Sequence, residues 1–481
     1  MKKTRHSENE IEETHENEDR LSDLPDCIII HILSFLNTKH VVQTCILSTR
    51  WKHLWKSIPT LILHSSRFNT LKKFDTFVSN IFTLRDSSTE LHAFDLDLEH
   101  RGIIEPQLLK MIVNYVCSHN THLRELGISL RGDISLISSC VSFCQALTSL
   151  KLKAYPRVNN SVYTETLFPK SLNLPSLTSL DLTNFGFCGG ENCHEPFLAF
   201  TKLNSLVIRG CRIGGNAEFF SISNETLVNL ALHSNSYAII QIKLSTPNLC
   251  TFKFTGDIIP KICGGGLSSV KQVNIDSQNI LAWSGDALIL FSWLLDLSNV
   301  ESLTVTSTIL QILSLIPDLL KVKLPSLCNL KSLEVELIPL DDGLLRLLMK
   351  EEMLKKAAAK SSKEVVNLRK AFKARSEPPA IPDGIVDFLR QNSPLAVVNI
   401  TTNYPSSFNL KQVEESLKGA KIINYRLRFS VRSSSVTPAS AAKSASDAAP
   451  ASAAEPATAA SSNLQEKGNK SSSVDMAENQ P

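Results

Sequence analysis

A spaced apolar motif, L-x-x-L-x-L with Ile, Val or Phe allowed at each apolar position, recurs along the middle of this 481-residue chain. Copies start at Leu123, Leu147, Leu177, Leu203, Leu227, Leu249, Val270, Val300 and Leu330. Successive starts lie 21 to 30 residues apart, and a partial copy, Leu91-Phe94-Leu96, lies 32 residues upstream of the first. One match means little in a leucine-rich chain, where so loose a triplet turns up by chance at about one start in thirty. The sustained period carries the weight, because units of about 20–29 residues mark a solenoid of leucine-rich repeats. LTSLKL, LTSLDL, LNSLVI, LVNLAL and LKSLEV are near-copies of one another. The competing reading is an ordinary α/β domain with buried strands.

In a solenoid each L-x-L is a short strand in a parallel stack, and each unit buries its apolar side chains only against its neighbours. Regular repeats place Asn or Cys nine positions into the motif to satisfy backbone groups at the turn. Cys211 and Asn235 occupy that position here, while Tyr155, Phe185 and Thr308 occupy it elsewhere. The array is therefore expected to be irregular, with variable connections on its convex side. The residue between the two apolar positions faces the concave side. This places Lys151, Asp181, Val207, Lys253, Asn274, Thr304 and Glu334 on the candidate target-binding surface, with Asp95, Gly127 and Ala231 beside them. These residues carry no single sign and no aromatic cluster, which suits protein recognition and not a nucleic-acid stripe. Upstream, Leu61-Ile62-Leu63 reads as a first strand. Phe68, Leu71, Phe74, Val78 and Ile81, then Leu108, Leu109, Ile112, Val113 and Val116, fall at helical spacing. We read these as one or two starter repeats.

The second informative stretch is LSDLPDCIIIHILSFLNTKHVVQTCILSTRWKHLWKSIP, residues 21–59. Leu24-Pro25-Asp26 reads as a helix start, since proline tolerates the first turn and an early Asp complements the helix dipole. Ile28, Ile29, Ile32, Leu33 and Leu36 recur at spacings of three and four, as on one helical face. Thr38 is placed to cap a second helix carrying Val41, Val42, Cys45 and Ile46. Ser48 is placed to cap a third, with Trp51, Leu54 and Trp55. So short an apolar unit leaves part of its surface uncovered, the usual mark of an interface. It could equally be a helical cap on the next domain, with both Trp packed inward.

The order and spacing of Leu24-Pro25-Asp26, Ile32-Leu33-Ser34-Phe35-Leu36, Leu47-Ser48-Thr49-Arg50-Trp51 and Leu54-Trp55 closely resemble an F-box. The resemblance is to the plant subfamily in which leucine-rich repeats follow the F-box, often with a C-terminal FBD region. It implies a Skp-type adaptor as partner, and through it a cullin ubiquitin ligase. It also implies that Leu24, Pro25, Ile32, Leu33, Leu36 and Trp51 bury against that adaptor. The expected fold is α/β: a three-helix F-box followed by an irregular leucine-rich-repeat solenoid of parallel strands with helices or loops on the convex side.

The expected organisation is an acidic, disordered segment over 1–20, the F-box over 21–60 and the solenoid over 61–340. A Lys/Ala-rich helical or mobile segment follows over 341–380, a possible capping repeat over 381–430, and an Ala/Ser-rich disordered tail over 431–481. An FBD region is not clearly visible. The formal net charge of +3 gives no global field toward nucleic acid or an anionic membrane, and no apolar run is long enough to span a bilayer. The start of the chain does not read as a secretory signal. Eleven Cys at irregular spacing suit a reducing, intracellular compartment, cytoplasm or nucleus.

Bond-breaking chemistry has no obvious home. The phosphate-loop, G-x-S-x-G and H-E-x-x-H motifs do not occur. Gly264-Gly265-Gly266 reads as a turn between repeats. Cys188, Cys193 and His194 lack the second closely spaced pair that zinc requires. Cys140 and Cys144 read as core. No cofactor is expected, and the chain is expected not to be an enzyme. The leading expectation is a substrate-recognition subunit of a ubiquitin ligase acting on an unknown protein target. The alternative is a repeat scaffold that binds a protein without engaging the ligase.

Overall fold

The computed structural model describes residues 23–429 apart from internal stretches, the longer ones being 99–105, 132–139, 188–194, 278–285, 340–379 and 414–424. The segments expected at 1–20 and 431–481, almost all of 341–380, and the residues Cys188, Cys193, His194 and Asn235 lie outside the described residues.

Thirteen strands form one sheet in chain order, every pair parallel. They are β1 (Thr60–His64), β2 (Ala93–Asp97), β3 (Glu125–Arg131), β4 (Ser149–Tyr155), β5 (Ser179–Thr183), β6 (Ser205–Arg209) and β7 (Asn229–Ser234). The series continues with β8 (Thr251–Gly256), β9 (Gln272–Asp276), β10 (Ser302–Thr306), β11 (Ser332–Leu337), β12 (Val397–Thr402) and β13 (Tyr425–Phe429). Each motif supplies one rung, as its period requires. The two apolar residues of each L-x-L are buried and the residue between them is not, apart from Gly127. Alternation of this kind puts one face of the sheet in the core and leaves the other to solvent.

The convex side changes along the array. The first repeats are closed by two amphipathic helices, α3 (Leu71–Leu84) and α4 (Pro106–Ser118), at the expected helical spacing. Phe68 lies just ahead of α3 and packs edge-on to Phe74, with ring centroids 5.4 Å apart. The repeats in the middle are closed by strands in place of helices. They close with two small parallel sheets, Thr166–Leu167 with Phe185–Phe187 and Arg212–Ile213, then Phe220–Ser223 with Gln241–Ser245 and Lys261–Cys263. The longer repeats beyond Val270 regain helices, α5 (Asp286–Asp296) and α6 (Ser307–Leu313). Trp293 of α5 stands edge-on to Phe252 and Phe254 at 5.5 and 5.3 Å. Beyond 380, α7 (Ile385–Gln391) buries Ile385, Val386, Phe388 and Leu389, and β12 pairs with β11 from Val397 to Thr402.

The turn position behaves as its chemistry demands. Cys211 is buried, and its thiol donates to the carbonyls of Leu182, 3.7 Å away in the preceding repeat, and Arg209, at 3.6 Å. Burial pushes that thiol up to about 12, so it stays protonated and able to donate. Asn224 does the same for another turn, donating from its buried amide to Phe197 O and Phe200 O at 3.0 and 2.9 Å.

At the N-terminus stand α1 (Asp26–Leu33) and α2 (Thr38–Gln43), with 3₁₀ turns at Thr44–Ile46 and Leu54–Ser57. The third helix expected from Ser48 onward is the 3₁₀ turn at Leu54–Ser57, with His53 at its N-cap position. Asn37, not Thr38, caps α2, its side chain accepting from Lys39 N at 3.1 Å. Thr38 is fully buried, and its hydroxyl accepts from Ile62 N of β1 at 2.8 Å. A hydroxyl that reads locally as a cap is used instead to fasten the helical unit to the first strand. Trp51, Trp55 and Ile58 are buried and share one continuous core with the first rungs.

Candidate docking surfaces

Two exposed surfaces stand out, one on the helical unit and one on the concave face of the sheet. The apolar stripe of α1 divides. Ile29 and Leu33 turn inward, 0% and 1% exposed, while Ile28 and Ile32 turn outward at 43% and 41%. Leu36 is exposed, and so are Phe35 at 71%, Ile46 at 84% and Leu47 at 65%. Phe35 stacks edge-on to His31, with centroids 5.0 Å apart, and has no core contact to fill. Six large apolar side chains left exposed on one small helical unit are costly in water and mark a surface made for a partner.

Of the six residues expected at the adaptor, Pro25, Ile32 and Leu36 are exposed and Leu24 is half-buried. Leu33 and Trp51, at 1% and 8%, are packed into the chain's own core. Their side chains hold the surface in place without forming it, because a group already buried internally has little area left to offer. Phe35, Ile46 and Leu47 were missed as surface residues. Their signal was an apolar residue at a break between helices, where no internal core remains to receive it. Arg50 braces the unit, pairing with Asp26 at 2.7 Å and donating to the carbonyl of Leu24.

The concave face is more ordered than its composition suggests. Asp95, Gly127, Lys151, Asp181, Val207, Ala231, Lys253, Asn274, Thr304 and Glu334 are successive Cα partners, forming one row across ten strands. All seven expected target-binding residues therefore share one line. Beside it runs a second row, outside the L-x-L motif: Asp97, Ser129, Lys153, Thr183, Arg209, His233, Thr255 and Asp276. Together the two rows segregate charge. Asp95 and Asp97 stand at one end, Lys151, Lys153, Arg209 and Lys253 across the middle, and Glu334 and Glu336 at the other end.

Local contacts shape this face. Arg209 Nε meets Asp181 Oδ1 at 3.3 Å. Tyr155 donates to Asp97 at 3.2 Å, and Lys153 lies over the Tyr155 ring at 4.5 Å. His233 is pushed down to about 4, first by burial and then by the charges of Arg209 and Lys253. It is therefore neutral near pH 7. A Cβ at Gly127 would lie 2.4 Å from Asp95 Oδ1, so a larger residue there would push that carboxylate aside. That carboxylate leans over the glycine, and its Oδ2 lies 3.1 Å from His64 Nε2.

The bond to Asp95, partly offset by burial, raises the His64 pKa above its ordinary value. A group raised in the folded state stabilises it fully below its unfolded pKa of about 6.5, and loses that contribution as pH rises through the folded value. The predicted loss is less than ~1 kcal/mol, because both side chains are partly exposed. Imidazole titration by NMR, with melting from about pH 5.5 to 8.5, checks it. Asp95→Asn removes both the raised pKa and this slope.

Among the described residues no group of three or more His, Cys, Asp or Glu is placed to hold a metal, and no helix is long and apolar enough to cross a membrane. Cys140 and Cys144 are buried, as expected of core residues.

Residues 21–63 match the family model of the F-box domain. The chain is 31% identical over 245 residues to a protein of Arabidopsis thaliana named as a probable FBD-associated F-box protein, covering 48% of this chain and 54% of that one. It is 28% identical over 279 residues to an F-box/LRR-repeat protein of the same plant, covering 54% and 67%. It is 31% identical over 195 residues to F-box/LRR-repeat protein 13, also of Arabidopsis, covering 40% and 41%. The chain thus spans about half the length of the first of these relatives. The helical unit is thus an F-box domain, and the chain is similar to plant F-box/leucine-rich-repeat proteins.

Proposed function

We propose that this chain is the substrate-recognition subunit of a Skp–cullin–F-box ubiquitin ligase, making no bond itself. The observation that carries the proposal is the exposed patch Ile28, Ile32, Phe35, Leu36, Ile46 and Leu47, set on an F-box domain and built onto a repeat solenoid. The patch binds a Skp-type adaptor, which brings a cullin. The concave rows bind a protein target, with Lys151, Asp181, Val207, Lys253, Asn274, Thr304 and Glu334 at its centre. The contribution to catalysis is proximity: holding a target beside the transfer machinery raises the effective concentration of its lysines. The free thiols at Cys140, Cys144 and Cys211 suit action in a reducing compartment of the cell, cytoplasm or nucleus.

Co-expression with a Skp-type adaptor tests the first half. A complex of one chain to one adaptor is expected on size exclusion. Proximity labelling with the intact chain, against a version lacking the F-box that retains targets, tests the second. A folded solenoid that captures proteins but never the adaptor would make the chain a scaffold outside the ligase.

A further inference from the structure

The concave rows carry more than a mixed polar surface. Their middle is basic over the span from β4 to β8, and both ends are acidic. Lys151 and Lys253 are exposed, and among the described residues neither has an ion-pair partner. Between them Arg209 is only partly neutralised, since the Asp181 carboxylate reaches it through a single 3.3 Å contact. His233, next to Arg209 in the same row, is held neutral by burial together with the charges of Arg209 and Lys253. Asp181 is the carboxylate inside the band, and Asp276 stands on β9 just beyond it. Burial raises the Asp276 pKa, and its Oδ1 has no hydrogen-bond partner. Thr255, its register neighbour, likewise carries a buried hydroxyl without a partner. The band thus carries more basic side chains than carboxylates.

We propose that this band seats an extended acidic segment of the protein target, with Lys151, Arg209 and Lys253 receiving its carboxylates, and that basic residues on either side of the segment meet Asp95 and Glu334. This rests on the reading of the concave face as the target-binding surface, and specifies its chemistry. Dimensions select a peptide carrying several carboxylates. Strands of a sheet are about 4.8 Å apart, so Lys151 and Lys253, four strands apart, are separated by about 19 Å. A single phosphoryl group cannot bridge that distance. An extended chain advancing about 3.3 Å per residue covers it with about six residues. Asp95 lies two strands before Lys151, and Glu334 three strands after Lys253, which are steps of about three and about four further residues.

Fluorescence anisotropy with the full chain tests this. The probe is a synthetic peptide with six central glutamates, a Lys pair about three residues before them and another about four residues after. Controls carry six glutamines, or alternating phosphoserine and glutamine, at the centre. The glutamate peptide is expected to bind at least ~10-fold more tightly than the glutamine peptide, and to weaken as salt rises. Lys151→Glu with Lys253→Glu is expected to remove that preference, and peptide binding is expected to raise the His233 pKa seen by NMR. Equal binding of glutamate and glutamine peptides, an unaltered double variant, or binding by the phosphoserine peptide alone would overturn the inference. Proximity labelling with Val207→Arg, in the same row, separates it from its premise. If Val207→Arg abolishes capture of partners and the double variant does not, the acidic-segment inference falls and the target-binding face stands. If neither changes capture, the premise itself falls.

Discussion

Glutamate at Phe35, Ile46 and Leu47 together is expected to abolish capture of a Skp-type adaptor while leaving the melting transition of the chain in place. The three side chains are 71%, 84% and 65% exposed, so the fold loses little packing when they become charged. Surface substitutions of this kind stay within about 0.5 kcal/mol each. In a complex, the same side chains would lie at the centre of an apolar contact, where truncating a hot-spot residue costs about 2 kcal/mol or more. Introducing charges that must be desolvated adds to that cost. The combined effect is expected to weaken binding at least ~100-fold, about 2.7 kcal/mol, in a titration calorimetry measurement. Leu33→Ala provides the contrast. Its side chain is 1% exposed, so the variant is expected to lose about 2–5 kcal/mol of stability. If the triple variant still binds the adaptor with unchanged affinity, the exposed patch is not the docking surface and the proposed role in a ligase fails.

The division between these two kinds of residue shows where reading the sequence succeeds and where it stops. Core rungs were legible because L-x-L fixes inside and outside by itself: Leu180 and Leu182 must be buried if Asp181 is not, whatever surrounds them. The row from Asp95 to Glu334 followed from the same rule, needing only constant register from strand to strand. The split of α1 was not legible. Ile28, Ile29, Ile32 and Leu33 are similarly hydrophobic and share helical spacing, and which pair faces inward depends on the elements that pack on α1, the turn at Leu54–Ser57 among them. Thr38 read as a cap because caps are local, whereas its bond to Ile62 depends on a strand 24 residues away. The charge segregation escaped because it needs two rows at once. The central positions alone alternate Lys, Asp, Val, Ala and Lys; Lys153 and Arg209 enter only when the neighbouring row is aligned beside them.

Arg85 is the residue whose role no local pattern announces, and Arg85→Leu is expected to be strongly destabilising. The side chain follows the last turn of α3 and is 6% exposed. Its Nη2 donates to Ile58 O and Glu90 O, both at 3.0 Å, and its Nη1 donates to Thr89 O at 2.9 Å and to the Tyr115 hydroxyl at 3.2 Å. Ile58 closes the F-box, Thr89 and Glu90 lead into β2, and Tyr115 belongs to α4, its ring stacked on Phe82 at 3.9 Å. One guanidinium therefore ties the F-box domain to the first two repeats. Its partners in these bonds are carbonyl and hydroxyl oxygens, which suits a planar fork with five donors and would not suit a lysine ammonium. Leucine fills part of the space but leaves three carbonyls without a donor, each costing about 1–3 kcal/mol where water cannot replace it. A net loss of about 3–5 kcal/mol is expected in denaturant unfolding, with Arg85→Lys falling between leucine and the native residue. Hydrogen exchange is expected to accelerate first at β1 and β2, whose rungs depend on that junction, while β6 to β9 keep their protection because each repeat leans only on its neighbours. Adaptor affinity is expected to change little, because Phe35, Ile46 and Leu47 are not among the residues Arg85 bonds. A loss below about 1 kcal/mol, the net worth of one ordinary hydrogen bond, would show that the F-box and the solenoid are joined by apolar packing alone.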